Sequence, residues 1–91
     1  MPVRVTVEAT FVRAIEKLPP DRRRAAARAL EKFMKEPRLP SLDFRSLAGA
    51  PGYYIIDARH GDRIILRGDG EDLYAAVDVG PHDNIYRRWN R

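Results

Sequence analysis

A chain of 91 residues, 44% hydrophobic and 33% charged, has the balance of a folded protein with one modest core, so residues 1–91 read as a single domain. The chain has no cysteine and only two histidines, His60 and His82. Disulfides and thiolate sites are excluded, and with no carboxylate spacing around either histidine neither a metal nor another cofactor is expected. The apolar runs fall far short of the ~20 residues that cross a bilayer, and no charged-then-apolar leader opens the chain; no membrane association and a cytoplasmic location are expected. The formal net charge is +4, but residues 1–52 carry eleven Lys and Arg against six Asp and Glu, while residues 53–91 carry six against seven. This surplus, together with the terminal "RRWNR", suits a polyanionic or acidic partner, or simply a solvated arginine-rich surface.

In chain order, the alternating β-branched "VRVTV" predicts a strand over residues 3–7. Phe11, Ala14, Ile15 and Leu18 then fall on one stripe of a helix over 9–18, which Pro19 ends. A second helix starts at Pro20 or Asp21 and runs to about Glu36 before Pro37, with Ala26, Leu30, Phe33 and Met34 as its buried stripe. The two form an antiparallel hairpin that must lay its apolar stripes on something else.

Residues 37–52 read as an extended connecting loop anchored by Leu42, Phe44 and Leu47. Strands are predicted over 53–58, 63–67 and 73–79, separated by the turn signals "RHGD" and "GDGED", which makes a three-stranded meander. Asp83 is placed to cap a short final helix in which Ile85 and Trp89 stack at i and i+4. Strict alternation puts Ile64 and Leu66 on one face of the meander and Arg63, Ile65 and Arg67 on the other. On the last strand it separates Leu73, Ala75, Val77 and Val79 from Tyr74, Ala76 and Asp78. The helices cover the apolar face. The other face is expected to be open and lined by Arg63, Arg67, Tyr74 and Asp78, with Asp57 as a further candidate, and to have His82 and Tyr86 at its rim.

The stretches "FRSLAGAPGYYIIDARHGDRIIL" and "VDVGPHDNIYRRWNR", following a strand, a helix hairpin and a proline-bearing linker, resemble the RelE/ParE superfamily of toxins from type II toxin-antitoxin systems. The resemblance implies an α+β fold: an N-terminal strand, an antiparallel helix hairpin packed on a small antiparallel sheet, and a short C-terminal helix. It also implies a cognate antitoxin as partner and, in one branch, ribosome-dependent cleavage of mRNA. In another branch it implies non-enzymatic poisoning of DNA gyrase. Arg63 matches the phosphate-contacting arginine of the middle strand, and Tyr86 the tyrosine near the C-terminus. The lysine pair of the RelE branch is replaced here by Ile55 and Asp57, and Pro81 stands where a second histidine or an arginine is common.

Metal-free RNA cleavage uses the 2′-hydroxyl as nucleophile, so it requires a base and cations for the phosphorane. His82 is the candidate base, Arg63 stabilises charge, and Tyr86 stacks on a base or orients the hydroxyl. The candidate catalytic set is therefore His82, Arg63 and Tyr86. Arg59, Arg67, Arg87, Arg88, Arg22, Arg23 and Arg24 are the candidate RNA contacts. The opposing structural readings are that Asp83 only caps a helix, Tyr86 only covers a sheet edge, and His60 is a solvated turn residue. Arg22, Arg23 and Arg24 crowd the first turn of a helix, where cations oppose the macrodipole, so a compensating anion is expected unless the cost is simply tolerated.

Overall fold

The computed structural model describes residues 2–89; Arg91, part of the terminal basic cluster, lies outside them. Strand β1 spans Arg4–Val7, and helices α1 and α2 span Ala9–Glu16 and Pro20–Lys35. Strands β2 to β5 follow at Arg45–Ser46, Tyr53–Asp57, Asp62–Gly70 and Leu73–Pro81, and helix α3 closes the chain at His82–Trp89. No helix among the described residues is long and apolar enough to cross a membrane.

Prolines punctuate the hairpin as expected. Pro20 occupies the first turn of α2, where its missing N–H costs nothing. Glu36, preceding Pro37, is driven to extended backbone (φ −150°, ψ 87°) and stops the helix. The apolar stripes land close to where the periodicity put them: Phe11, Leu18, Ala26, Leu30 and Phe33 are buried and Ala14 and Ile15 pack against them, but Met34 is only partly buried and Ala29 joins the core instead. Leu42 and Leu47 are buried and Phe44 is packed on the core, so the linker is anchored at the three expected points. Part of that linker also pairs as β2, against Ile55 and Tyr54, a strand too short to leave a periodic signal.

The sheet order is β1-β5-β4-β3-β2. The meander β3-β4-β5 is antiparallel, and β1 joins its far side parallel to β5, matching Arg4 with Leu73 through Val7 with Ala76. A parallel partner is available because α1 and α2 intervene between β1 and the meander.

Strict alternation fails on β5, and the reason is a β-bulge. Ile65 pairs with Asp78 and Leu66 with Ala76, so Val77 is an extra residue and the pleat changes phase. Ala76 and Val79 therefore join the hairpin core, whereas Ala75 and Val77 join a second cluster with Leu47, Ile55, Ile65 and Ile85. Tyr74 is not on an open face. It lies on the hairpin side, in an aromatic group with Phe33 (5.2 Å), Tyr54 (5.7 Å) and Phe44 (5.9 Å), where partial burial raises its phenol pKa. The opposite face is not open either, because α3 covers it with Ile85, Tyr86 and Trp89.

The arginine triplet finds an internal partner for its first member. Asp62 has no exposed surface and accepts two hydrogen bonds from Arg22, from Nε at 2.9 Å and Nη2 at 2.6 Å. Hydrogen bonding to Asp62 raises the Arg22 pKa, and the fork geometry fixes the start of α2 to the start of β4. Arg23 and Arg24 remain exposed.

This pair generates an asymmetric prediction. Arg22→Ala strands a buried carboxylate and should cost about 2 to 3 kcal/mol, less than for a fully enclosed pair because the guanidinium reaches solvent. Arg22→Met combined with Asp62→Leu should recover most of that loss. Urea denaturation of the three proteins checks it, and a double variant as weak as Arg22→Ala would show that the charge itself is required.

Candidate functional site

The register of β4 and β5 sets Arg63 opposite Gly80, two residues before the first residue of α3. Pro81 ends the strand, and His82 opens the helix. Asp83 lies inside the first turn of α3, not at the N-cap, and its side chain is 86% exposed. Its carboxylate is 3.1 Å from His82 Nδ1, so its visible role is to hold the ring. One turn on, Tyr86 packs against the same imidazole with ring centroids 4.5 Å apart, the i and i+4 pairing that helical geometry provides.

Behind Tyr86 a group of polar side chains runs back into the sheet. The phenol lies near Arg45; burial opposes the charge of that guanidinium, but Tyr86, Asp57 and Asp43 together outweigh it and raise the arginine pKa. Arg45 Nη1 lies 3.1 Å from Asp57 Oδ1, and Arg63 Nε lies 3.0 Å from the same oxygen. Arg63 Nη1 donates to the Asp62 carbonyl at 3.3 Å. Although close to Asp57, the Arg63 Nε–H is not aligned with it and is buried without a hydrogen-bond acceptor. Asp57 thus serves two guanidiniums, and Arg45 also pairs with Asp43 at 3.1 Å, so the charges of the cluster are matched while one donor, Arg63 Nε–H, stays unsatisfied.

Arg45 was missed by sequence reasoning. Its strand is two residues long, and the only signal in the sequence was an arginine beside Phe44 and Leu47, the anchors that hold it against β3. Among the expected catalytic residues, His82 and Tyr86 are in contact, and Arg63 stands beside the start of their helix through its register with Gly80, paired with the Asp57 that also holds Arg45. The two positions that lack lysines are occupied in other ways: Ile55 is buried under α3, and Asp57 is the shared anion.

The expected RNA-contacting arginines do not gather. Arg22 is held by Asp62. Arg67 is held by Asp69 at 2.6 Å and Glu8 at 3.2 Å. Its hydrogen bond holds the Asp69 carboxyl below the usual range. Arg88 is held by Asp78. Arg23, Arg24, Arg59 and Arg87 are exposed and have no ion-pair partner among the described residues. No group of three or more His, Cys, Asp or Glu side chains among those residues is arranged to hold a metal ion.

The helix that carries His82 and Tyr86 is clamped at its other end. Asp78, on the bulge, accepts from Arg88 Nε (2.9 Å), Arg88 Nη2 (3.1 Å) and Trp89 Nε1 (2.8 Å), and from the Val79 backbone N–H (2.8 Å). Trp89 also packs on Tyr53, with centroids 5.2 Å apart.

An N-terminal parallel strand, a helix hairpin on one sheet face and a short terminal helix on the other define an α+β fold with a polar corner at the join of β5 and α3. No family model matches the sequence, and no curated protein matches it. Solved structures do. An arginine-substituted mutant of the Escherichia coli toxin RelE in the free state superposes with a TM-score of 0.71 at 19% identity, over 99% of this chain and 96% of that one. The RelB-RelE antitoxin-toxin complex from Methanococcus jannaschii gives 0.71 at 22% identity, over 92% and 98%. The RelBE2 toxin-antitoxin complex from Mycobacterium tuberculosis gives 0.71 at 24%, over 90% and 100%. The fold is that of the RelE toxins, in agreement with the α+β arrangement expected from the sequence.

Trp89 is the single tryptophan of the chain, which makes the clamp on α3 directly observable. Asp78→Ala should red-shift its emission, increase acrylamide quenching in the native state, and lower stability by about 2 to 3 kcal/mol, because buried donors lose their acceptor. Unchanged fluorescence would show that apolar packing alone docks the helix.

Proposed function

We propose that the protein is the toxin of a type II toxin-antitoxin pair and that it cleaves mRNA on the ribosome without a metal. The observation that carries this reading is a cluster at one corner: Arg63 and Arg45 paired with the same Asp57, and Tyr86, near Arg45, packed on His82. It puts a proton acceptor, a phenol and two guanidiniums at one corner, within a fold otherwise seen in RelE toxins. The antitoxin-bound states of two of those structures support a cognate antitoxin as partner.

In the proposed reaction the 2′-oxygen attacks the adjacent phosphorus while His82 takes its proton. The new O2′–P bond forms as the P–O5′ bond breaks, leaving a 2′,3′-cyclic phosphate and a 5′-hydroxyl. Arg63 and Arg45 stabilise the charge that gathers on the non-bridging oxygens, and Arg63 has a donor to spare. Tyr86, packed on His82, stacks on a base or orients the 2′-hydroxyl. The 5′-oxygen takes its proton from solvent, since no second imidazole stands in this cluster among the described residues.

One observation favours a second reading. Asp57 and Asp43 together match the two arginines that the phosphorane would need, and no lysine replaces the lost charge. A toxin with such a corner could act by binding DNA gyrase or another partner without cutting RNA.

In vitro translation followed by primer extension decides between them. Discrete, ribosome-dependent cuts are expected, and His82→Ala should reduce the cleavage rate by about 10²- to 10⁴-fold with an unchanged melting curve. Arg63→Ala should weaken both cleavage and its salt-sensitive RNA binding. Intact mRNA accompanied by gyrase-linked DNA breaks would establish the second reading, and a fully active His82→Ala protein would remove His82 from the chemistry.

A further inference from the structure

Strand β1 closes one edge of the sheet, and β5 is its only strand partner among the described residues. The N–H groups of Arg4 and Glu8 donate to the carbonyls of Asp72, just before β5, and Ala76, within it, at 2.8 and 2.9 Å. Backbone groups of successive residues point to opposite sides of a strand, so those of Val5 and Val7 face outward. No backbone group meets them there among the described residues. The open row ends on both sides: the Val3 N–H is taken by the Met34 carbonyl at 2.9 Å, and Ala9 begins α1. Such an edge is a template for another strand.

The side chains along it are equally unspent. Val7 and Val12 are the large hydrophobic residues left exposed among the described residues. They flank the cap residue Glu8 at the two positions that pack together at helix starts, so the apolar patch lies against the open edge. Arg4 and Thr6 are exposed on the other face of the strand, and Arg4 has no ion-pair partner among the described residues. Arg67 holds Glu8 through Oε1 alone.

A second copy of the chain fits this edge in one antiparallel register. A two-fold axis through Thr6 sets Val5 of each copy against Val7 of the other, and every outward N–H and C=O of these residues is then used. Sliding the pair by one repeat would call on the Val3 N–H, already bonded, or on Ala9, already helical. The same axis puts Thr6 beside its own copy and Arg4 opposite Glu8. Both are the closely spaced, non-hydrogen-bonded kind of pair, in which side chains meet. An arginine without a partner thus faces a carboxylate with an oxygen to spare, once on each side of the axis. An unrelated strand would not require residues 4 and 8 to carry opposite charges. A copy of this chain does.

We propose that β1 is a homodimer interface, paired antiparallel about Thr6 with β1 of a second copy, so that one sheet runs through both chains. Strand β2, which carries Arg45, is at the opposite edge of the sheet and stays clear of the contact.

Sedimentation equilibrium of the intact chain tests this. A monomer–dimer equilibrium is expected, and a chain that stays monomeric up to about 1 mM overturns the proposal; that is also the outcome if the edge serves a strand from a different protein. Val7→Pro removes an outward N–H without touching the ladder with β5, the placement in which an edge strand tolerates proline. It should melt near the parent and weaken the dimer roughly 10-fold or more. Arg4→Glu and Glu8→Arg each set like charges opposite one another and should weaken it about 10-fold. An equimolar mixture of these two variants should dimerise again, because opposite charges then meet at both sites. Should Val7→Pro fail to fold, the charge variants decide alone. Single charge variants that dimerise like the parent, or a mixture that pairs no better than its components, place the contact on another face and overturn the proposal.

Discussion

The extra residue in β5 is the constraint from which the rest of the architecture follows. By shifting the pleat at Val77, the bulge allows β5 to contribute Ala76 and Val79 to the hairpin core and Val77 to the cluster under α3, and it turns Asp78 toward that helix. A regular strand would alternate through this point and present Asp78 to the apolar hairpin, where an unpaired carboxylate is very costly. With the bulge, the same carboxylate becomes the acceptor for four donors and fastens the end of α3. The sheet acquires two covered faces. His82 and Tyr86 are held at a fixed distance from β4 because the helix that carries them is gripped near both ends.

Electrostatics in this molecule is mostly internal. The formal surplus of +4 suggests a strongly positive surface, yet Arg22, Arg45, Arg63, Arg67 and Arg88 each face a carboxylate at 2.6 to 3.1 Å or belong to a shared pair. These ion pairs fix element positions: Arg22 holds α2 to β4, Arg88 holds α3 to β5, and Asp57 ties β2 and β4 across β3. What remains to act on a polyanion is a smaller set of unmatched cations, and their placement matters more than the total. Arg63 is intermediate. It is paired with Asp57, but its Nε–H has no acceptor, and a buried donor without an acceptor is relieved by any anion that supplies one.

The polar corner has its physical basis at the end of β5. There the strand has lost its β1 neighbour, so one side is bounded by α1, and the chain turns at Pro81 into α3. A helix start, a strand edge and two helices converge on one spot. Side chains remote in sequence are thereby gathered with little dedicated structure: Arg45 arrives on a strand of two residues held by Phe44 and Leu47, and Arg63 arrives through its register with Gly80.

Local chemistry in the sequence was sufficient for the elements. Prolines at 19, 20 and 37 bounded the helices, 3.6-residue spacing named their buried stripes, and turn residues separated the strands of the meander, because these signals act over a few residues. The resemblance in motif order anticipated the fold. His82, Tyr86 and Arg63 were legible as a candidate site because they lie near the ends of such elements. The bulge, the covering of the second sheet face, the position of Asp83 inside α3 and the membership of Arg45 in the corner were not legible. The pairing of Arg22, Arg67 and Arg88 was hidden for the same reason. The pairings of Arg88 with Asp78, Arg22 with Asp62 and Arg67 with Glu8 span 10, 40 and 59 positions of chain. Periodicity carries no record of an inserted residue's effect on a partner strand, and charge counts do not say which carboxylate a guanidinium will reach once the backbone has closed around it. Only the packed tertiary structure decides those pairings.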